Sequence, residues 1–242
     1  MNNSHARNTN DTGILAAAAA ALEFVFDGAC VGLGSGRASS AFIRALGDRC
    51  RDGLRVHGVA TSAASATLAT SVGIPLTGIE DGMLLELTVD GADGVAPNLD
   101  MVKGWGGALV RERIVATASK RQVILVGADK LVTTIGERGR IPAEVIPMAQ
   151  WPVTRGLMTL GLVPTLRMDG TGESPYVTDN GNVIIDFAAR KPIVDGEAAQ
   201  AIERAVLDIV GVVDTGLFLG TADRVIVGHS DGRVDTLLRI AG

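Results

Sequence analysis

Aromatic residues make up only 3% of this 242-residue chain, which has two cysteines and three histidines. Each scarcity excludes something. Cys30 and Cys50 have neither the number nor the spacing of a disulfide framework or a zinc site, and they read as reduced thiols of a cytoplasmic protein. His5, His57 and His229 are scattered, with no partner at ligand spacing, and read as structural. There is no basic excess: the formal net charge of −5 argues against nonspecific nucleic-acid binding. Long apolar runs are missing as well. Residues 14–22, "ILAAAAAAL", fall far short of the ~20 residues that a bilayer crossing needs. Only Arg7 precedes that run as a strong base and Glu23 follows it, which is not the pattern of a secretion signal. An Ala-rich opening helix is expected instead, with Asp11 or Thr12 near its N-cap and Gly28 beyond its end.

What the chain does contain is apolar bulk, 47% hydrophobic against 20% charged, enough to bury a full α/β core. "ACVGLGSGRASSAFIRAL" reads as a buried strand, a Gly-rich turn and an amphipathic helix with Phe42, Ile43 and Leu46 on one face. "LRVHGVATS" repeats the plan, with a helix start at Thr61/Ser62, and "LLELTVDGAD" supplies another strand. "GALVRERIVATASK" and "RQVILVGADKLV" follow as helix and strand. This alternation predicts a doubly wound, mostly parallel sheet. The middle differs: it is rich in proline, has an Asn180-Gly181 pair typical of a tight hairpin, and contains the amphipathic helix "GEAAQAIERAVLDIVG". The expected organisation is a parallel α/β domain at 1–136 and 218–242, with a small α+β domain inserted at 137–217. "RVIVGHS" and "RVDTLLRI" supply the last strands.

The polar clusters follow predicted strands, where open α/β sheets place their ligands. In "GLGSGRAS" the glycines let backbone N–H groups face an anion at a helix N-terminus, and Arg37 adds full charge. A nucleotide site or a plain tight turn fits the same pattern. Asp90 and Asp93 end a strand, where a capped turn is the bland alternative. Glu112 is more telling. On a helix its neighbours Ala108, Leu109, Val115 and Ala116 are all apolar. A carboxylate in such a stripe gains proton affinity and can serve as a base near neutral pH. The alternative is a dipole-favoured Glu paired with Arg111 or Arg113. Lys103, before "GWGG", is placed to steady charge on an oxygen, and Lys130 lies just beyond another strand.

These residues carry a resemblance. "VDGADGVAPNLDMVKGWGGALVRERIVA" resembles the signature of the ribose-5-phosphate isomerase type A family. "VGLGSG" and "GVATSAAS" resemble its two N-terminal loops, and "AEVIPMA", "VTDNGNVIIDF", "GVVDTGLF" and "VIVGHSDGRV" its later segments. The resemblance implies a Rossmann-like domain with a small ferredoxin-like domain, assembled as a homodimer or homotetramer. It implies cytoplasmic interconversion of ribose 5-phosphate and ribulose 5-phosphate, with no metal or organic cofactor and no nucleic-acid or membrane partner. Glu112 would be the base, Asp90 and Asp93 the ring-opening and relay carboxylates, and Lys103 the partner of the enediolate oxygen. Substrate contacts would fall on Ser35, Gly36, Arg37, Ala38, Gly91, Ala92, Gly104, Trp105, Gly106 and Lys130.

The chain departs from the family pattern at "GSGRA", where Arg37 replaces hydroxyl donors, at Gly94 in "DGADG", at Trp105 and at Gly127. The opening helix lacks a phosphate-holding lysine, a gap that Arg37 is expected to fill. Trp105 is expected to narrow or reshape the pocket. These departures keep a paralogous isomerase of another short sugar phosphate open, and a non-catalytic sugar-phosphate sensor as well. A deaminase or lactonase would need a catalytic histidine, and none lies in these loops.

Overall fold

The computed structural model describes residues 3–79, 84–193 and 196–239. The side chains of His5, Arg7 and Asp11, and the whole of Ile240 at the expected end of the last strand, lie outside the described residues. In chain order the first elements are α1 (Asn3–Ala21), β1 (Cys30–Leu33), α2 (Gly36–Arg51), β2 (His57–Ala60), α3 (Ala63–Ser71) and β3 (Leu87–Gly91). The hairpin of β4 (Gly94–Val95) and β5 (Met101–Val102) leads to α4 (Leu109–Thr117) and β6 (Gln122–Gly127). The middle holds β7 (Ile141–Val145), α5 (Gln150–Thr159), β8 (Val163–Leu166), β9 (Val183–Ala188), α6 (Gly196–Leu207), β10 (Val212–Thr215) and β11 (Leu217–Phe218). β12 (Arg224–Gly228) and β13 (Val234–Leu238) come last.

The chain divides into two compact units. The first comprises Met1–Ala92, Arg111–Lys130 and Thr221–Gly242. Its six-stranded sheet has the order β13-β12-β6-β3-β1-β2, parallel from β12 to β2 with β13 antiparallel at the edge. The α/β class and the mostly parallel sheet expected from the alternation are therefore present. β2 lies on one side of β1 and β3 on the other, so the strand order reverses between β1 and β3. A crevice at such a reversal, at the carboxyl ends of the strands, is where this architecture binds ligands.

Phe42, Ile43 and Leu46 of α2 are fully buried against Val31, Leu33, Leu87, Val89 and Leu125. Burial of each such side chain is worth roughly 1.5–3 kcal/mol. Ala17, Ala18 and Ala21 belong to the same core, because short side chains let α1 lie close on its neighbours. The N-terminus of α1 is a correction: the helix begins at Asn3, ahead of the Asp11 or Thr12 expected to cap it. Propagation costs little once the Ala-rich turns are nucleated, so the helix extends through the polar residues before them.

The second unit comprises Asp93–Val110 and Leu131–Gly220; it includes 137–217, expected as the small domain, and also residues 93–110, 131–136 and 218–220, which were expected in the parallel domain. Its antiparallel sheet has the order β10-β7-β9-β8, built in the chain sequence β-α-β-β-α-β from β7 to β10. Ile141, Ala143, Val145, Ile185 and Phe187 pack with Val153 and Leu157 of α5 and Ala199 and Val206 of α6. β4, β5 and β11 form a small sheet of their own. The Asn180-Gly181 turn is present, with Gly181 in the left-handed region at φ 77°. It closes only a single bridge, Val177 to Val183, and the strand partner of β9 on that side is β8. Three side chains explain the turn's hold. Thr178, Asn180 and Asn182 all donate to Oε1 of the buried Glu144, at 3.0, 2.9 and 2.8 Å.

Candidate active site

In the first unit, the chain leaves β1 at Gly34 and enters α2 at Gly36, with Ser35 as its N-cap in an extended conformation. The Ser35 hydroxyl leaves the cap unmade and joins a hydroxyl cluster, 2.8 Å from Thr61 Oγ1, 2.7 Å from Ser62 Oγ and 3.3 Å from Ser65 Oγ. Ser62 is the N-cap of α3, accepting the Ser65 N–H at 3.1 Å. Two helix N-termini thus meet around four hydroxyls, a setting whose donors and dipoles favour an anion. Arg37 is exposed in the first turn of α2, beside half-buried Ala38.

Asp90, the fourth residue of β3, is fully buried. Its Oδ1 accepts the Ser35 N–H at 3.0 Å, the Ser39 hydroxyl at 3.0 Å and the Gly91 N–H at 2.7 Å. The loop after β1 and the end of β3 are thereby joined where the strand order reverses. Gly91 and Ala92 are half-buried, and Lys130 ends a short 3-10 turn beyond β6, also half-buried. Glu112 lies in the first turn of α4 at 5% exposure. The apolar stripe expected around it exists: Leu109 and Val115 are buried, Ala108 is 6% exposed and Ala116 half-buried.

In the second unit, Asp93 is half-buried and its N–H donates to the Val102 carbonyl at 2.8 Å. Asp93 Oδ2 accepts the Trp105 N–H at 2.9 Å. Lys103 is only 2% exposed, with Nζ 5.4 Å from the centre of the Phe218 ring. Ammonium groups are almost never buried so far unless they are paired. Gly104 adopts φ 93° and begins a turn closed by the Gly107 N–H on its carbonyl at 3.0 Å. Trp105 turns its indole toward 138–140: Nε1 donates to the Arg140 carbonyl at 3.0 Å, and the Arg138 and Arg140 guanidiniums stand 5.3 and 5.0 Å from the ring. Gly106 is exposed.

The chain passes between the units after Ala92, Val110 and Lys130, and again after Gly220. Asp90 and Asp93 flank the first passage, Glu112 comes just after the second, and Lys130 stands at the third. Among the described residues no cluster of three or more His, Cys, Asp or Glu is placed to hold a metal ion. No described helix is long and apolar enough to cross a membrane.

Sequence reasoning did not single out Ser39 or Ser65. The recurrence of serine at three-to-four spacing, Ser35 with Ser39 and Ser62 with Ser65, was the available signal. Arg167 and Tyr176, which brace the 104–106 carbonyls, and Asp186, which holds Arg167, had no local signal because they lie far along the chain.

Comparison with known proteins accords with these observations. A family model described as ribose 5-phosphate isomerase A (phosphoriboisomerase A) matches residues 57–232. The ribose-5-phosphate isomerase A of Thermomicrobium roseum is 45% identical over 219 residues, covering 89% of this chain and 90% of the relative. The solved ribose 5-phosphate isomerase A of Methanocaldococcus jannaschii superposes with a TM-score of 0.88 at 38% identity, over 95% of this chain and 99% of that one. A D-ribose-5-phosphate isomerase solved in complex with phospho-erythronic acid superposes with a TM-score of 0.88 at 36% identity, over 93% and 97% of the two chains.

Proposed function

The chain belongs to the ribose 5-phosphate isomerase A family, and we infer its reaction from that membership: it interconverts D-ribose 5-phosphate and D-ribulose 5-phosphate, a step of the pentose phosphate pathway. The division of labour among its residues is our proposal. The observation that carries it is the burial of both Lys103 and Glu112, to 2% and 5% exposure, in the stretch that also holds Asp90 and Asp93.

Isomerisation begins with the closed furanose. Asp90 and Asp93 take the proton from the C1 hydroxyl and return one to the ring oxygen, so the C1–O4 bond breaks and an aldehyde forms. The three donors on Asp90 Oδ1 hold that carboxylate in one orientation. Glu112 then removes the proton from C2, and the electron pair moves onto the C1 oxygen to give an enediolate. Lys103 steadies that negative oxygen, an interaction stronger in a water-poor setting than in bulk solvent. Glu112 delivers its proton to C1, the O2 proton passes to O1 through the carboxylates, and the C2 ketone is complete. Atoms and charges balance within the sugar and these side chains, without a cofactor.

The phosphate is held at the hydroxyl cluster of Ser35, Thr61, Ser62 and Ser65 and the N-termini of α2 and α3, with Arg37 supplying charge. Gly36, Ala38, Gly91, Ala92, Gly104, Trp105, Gly106 and Lys130 complete the substrate contacts. The β-α-β-β-α-β unit with order β10-β7-β9-β8 supports a ferredoxin-like assignment of the second unit. A cytoplasmic homodimer or homotetramer is the proposed working form.

The test is to incubate purified chain with ribose 5-phosphate and EDTA in heavy water. Ketose formation with deuterium entering the carbon that exchanges is the expected result. Binding of the sugar without turnover would instead identify a sensor, and faster turnover of a four- or six-carbon aldose phosphate would identify a paralogue.

A further inference from the structure

We propose that Arg167 is a positioning residue for this reaction, acting through the Gly104–Gly107 turn that follows Lys103; the proposal rests on the isomerase reading above. Arg167 reaches the turn from β8's far end. Nη1 donates to the Gly104 carbonyl at 3.0 Å and to the Trp105 carbonyl at 3.1 Å. Its other edge is occupied by Asp186 of β9, with Nε on Oδ2 at 2.9 Å and Nη2 on Oδ1. The Arg167 side chain is only 9% exposed. A guanidinium so placed has both faces of its fork assigned, a rigid arrangement that a lysine cannot reproduce.

Peptide geometry makes this more than a brace. A trans peptide is planar, and its C=O and the next residue's N–H point in opposite directions. When Arg167 draws the Gly104 and Trp105 carbonyls to itself, the N–H groups of Trp105 and Gly106 are turned the other way. The first of them meets Asp93 Oδ2 at 2.9 Å, so Arg167 fixes the orientation of a proposed catalytic carboxylate at one remove. The second belongs to an exposed glycine, where it is presented as a donor to bound sugar. Tyr176 adds a third hold, its hydroxyl donating to the Gly106 carbonyl at 3.2 Å. Arg140 adds a fourth, with Nη2 3.3 Å from the Trp105 carbonyl. The glycine-rich turn is thus held at three successive carbonyls, and Arg167 takes two of them.

The experiment uses the whole chain in a Trp151→Phe background. Trp151 is 67% exposed and outside the machinery, and its removal leaves Trp105 as the sole indole reporter. Arg167→Gln, Arg167→Lys and Asp186→Asn are compared for kcat, KM, melting temperature and Trp105 fluorescence anisotropy. A displacement of about 1 Å at a reacting group costs on the order of 10²-fold in rate. A kcat loss of that order is expected in Arg167→Gln, with KM for ribose 5-phosphate within about threefold, because the phosphate is gripped elsewhere. Trp105 anisotropy should fall. Arg167→Lys, which keeps the charge beside Asp186 and so guards against misfolding, should lose an intermediate share of kcat. An unchanged kcat in both Arg167 variants, or a kcat loss with unaltered Trp105 anisotropy, overturns the proposal. A parent chain that forms no ribulose 5-phosphate overturns the isomerase reading and this proposal together, whereas an active parent with unimpaired variants overturns the positioning role alone.

Discussion

Gly34 and Asp90 compete for one space: a Cβ at position 34 would stand 2.1 Å from Asp90 Oδ1 and 2.3 Å from its Cγ. Only the absence of a side chain on the β1 loop lets the buried carboxylate of β3 come to rest beneath Ser35. Gly34→Ala should therefore displace Asp90. Overpacking of this kind costs about 1–3 kcal/mol, and urea unfolding should report a loss in that range together with a fall in kcat. Gly170→Ala meets nothing within 4 Å and serves as the neutral comparison. Full activity in Gly34→Ala would remove Asp90's placement from the mechanism.

Glu112→Gln keeps the shape of the side chain and deletes the base. Turnover should drop by about 10²–10⁴-fold. KM for ribose 5-phosphate, measured on the residual turnover, should stay close to that of the parent. Wild-type-like turnover would take the base role from Glu112.

Arg37 stands exposed in the first turn of α2. If it carries phosphate charge, Arg37→Ala loses a charge-assisted hydrogen bond worth about 1.5–3 kcal/mol, which is roughly a 10- to 100-fold rise in KM. Arg37→Lys should recover part of it. Steady-state kinetics decide the matter, and an unmoved KM in Arg37→Ala would assign the phosphate to the hydroxyl cluster and helix ends alone.

Asp27 and Arg55 form an exposed pair away from these loops. The Arg55 side chain, and then its N–H at 2.9 Å, hydrogen-bond the carboxylate and lower its pKa from 3.8 to about 2. The sign follows: the folded chain holds the ionised form more strongly than the unfolded one does. The pair's contribution is fully present above pH 3.8 and is lost as pH falls through about 2. Arg55→Ala should bring the Asp27 titration, followed by carboxyl NMR, back toward 3.8. Its stability deficit should be seen at neutral pH, shrink with added salt and vanish only once pH has fallen below 2.

Much of this architecture was legible beforehand. The three-to-four spacing of Phe42, Ile43 and Leu46 announced α2, and all three are fully buried. The Thr61/Ser62 helix start is α3, capped by the Ser62 hydroxyl. Glu112's apolar neighbours foretold its burial, since a helix repeats its faces every three to four residues. Other features were not legible. The first turns of α1 carry no strong helix signal of their own. The Asn180-Gly181 pair signalled a turn but not that β9 would find its partner in β8.

By itself the sequence determined what short-range physics can encode: which segments are strands and helices, which loops follow strand ends, and which charged residues stand in apolar company. Only the tertiary structure decided what meets what. It set the strand order that reverses at β1 and β3, brought Ser35 and Ser39 onto Asp90, and bound Arg167, itself held by Asp186, to a turn some sixty residues upstream. The reason is that hydrophobic periodicity selects a face to bury without naming its partner, whereas hydrogen-bond partners across long separations exist only once burial has fixed the backbone that presents them.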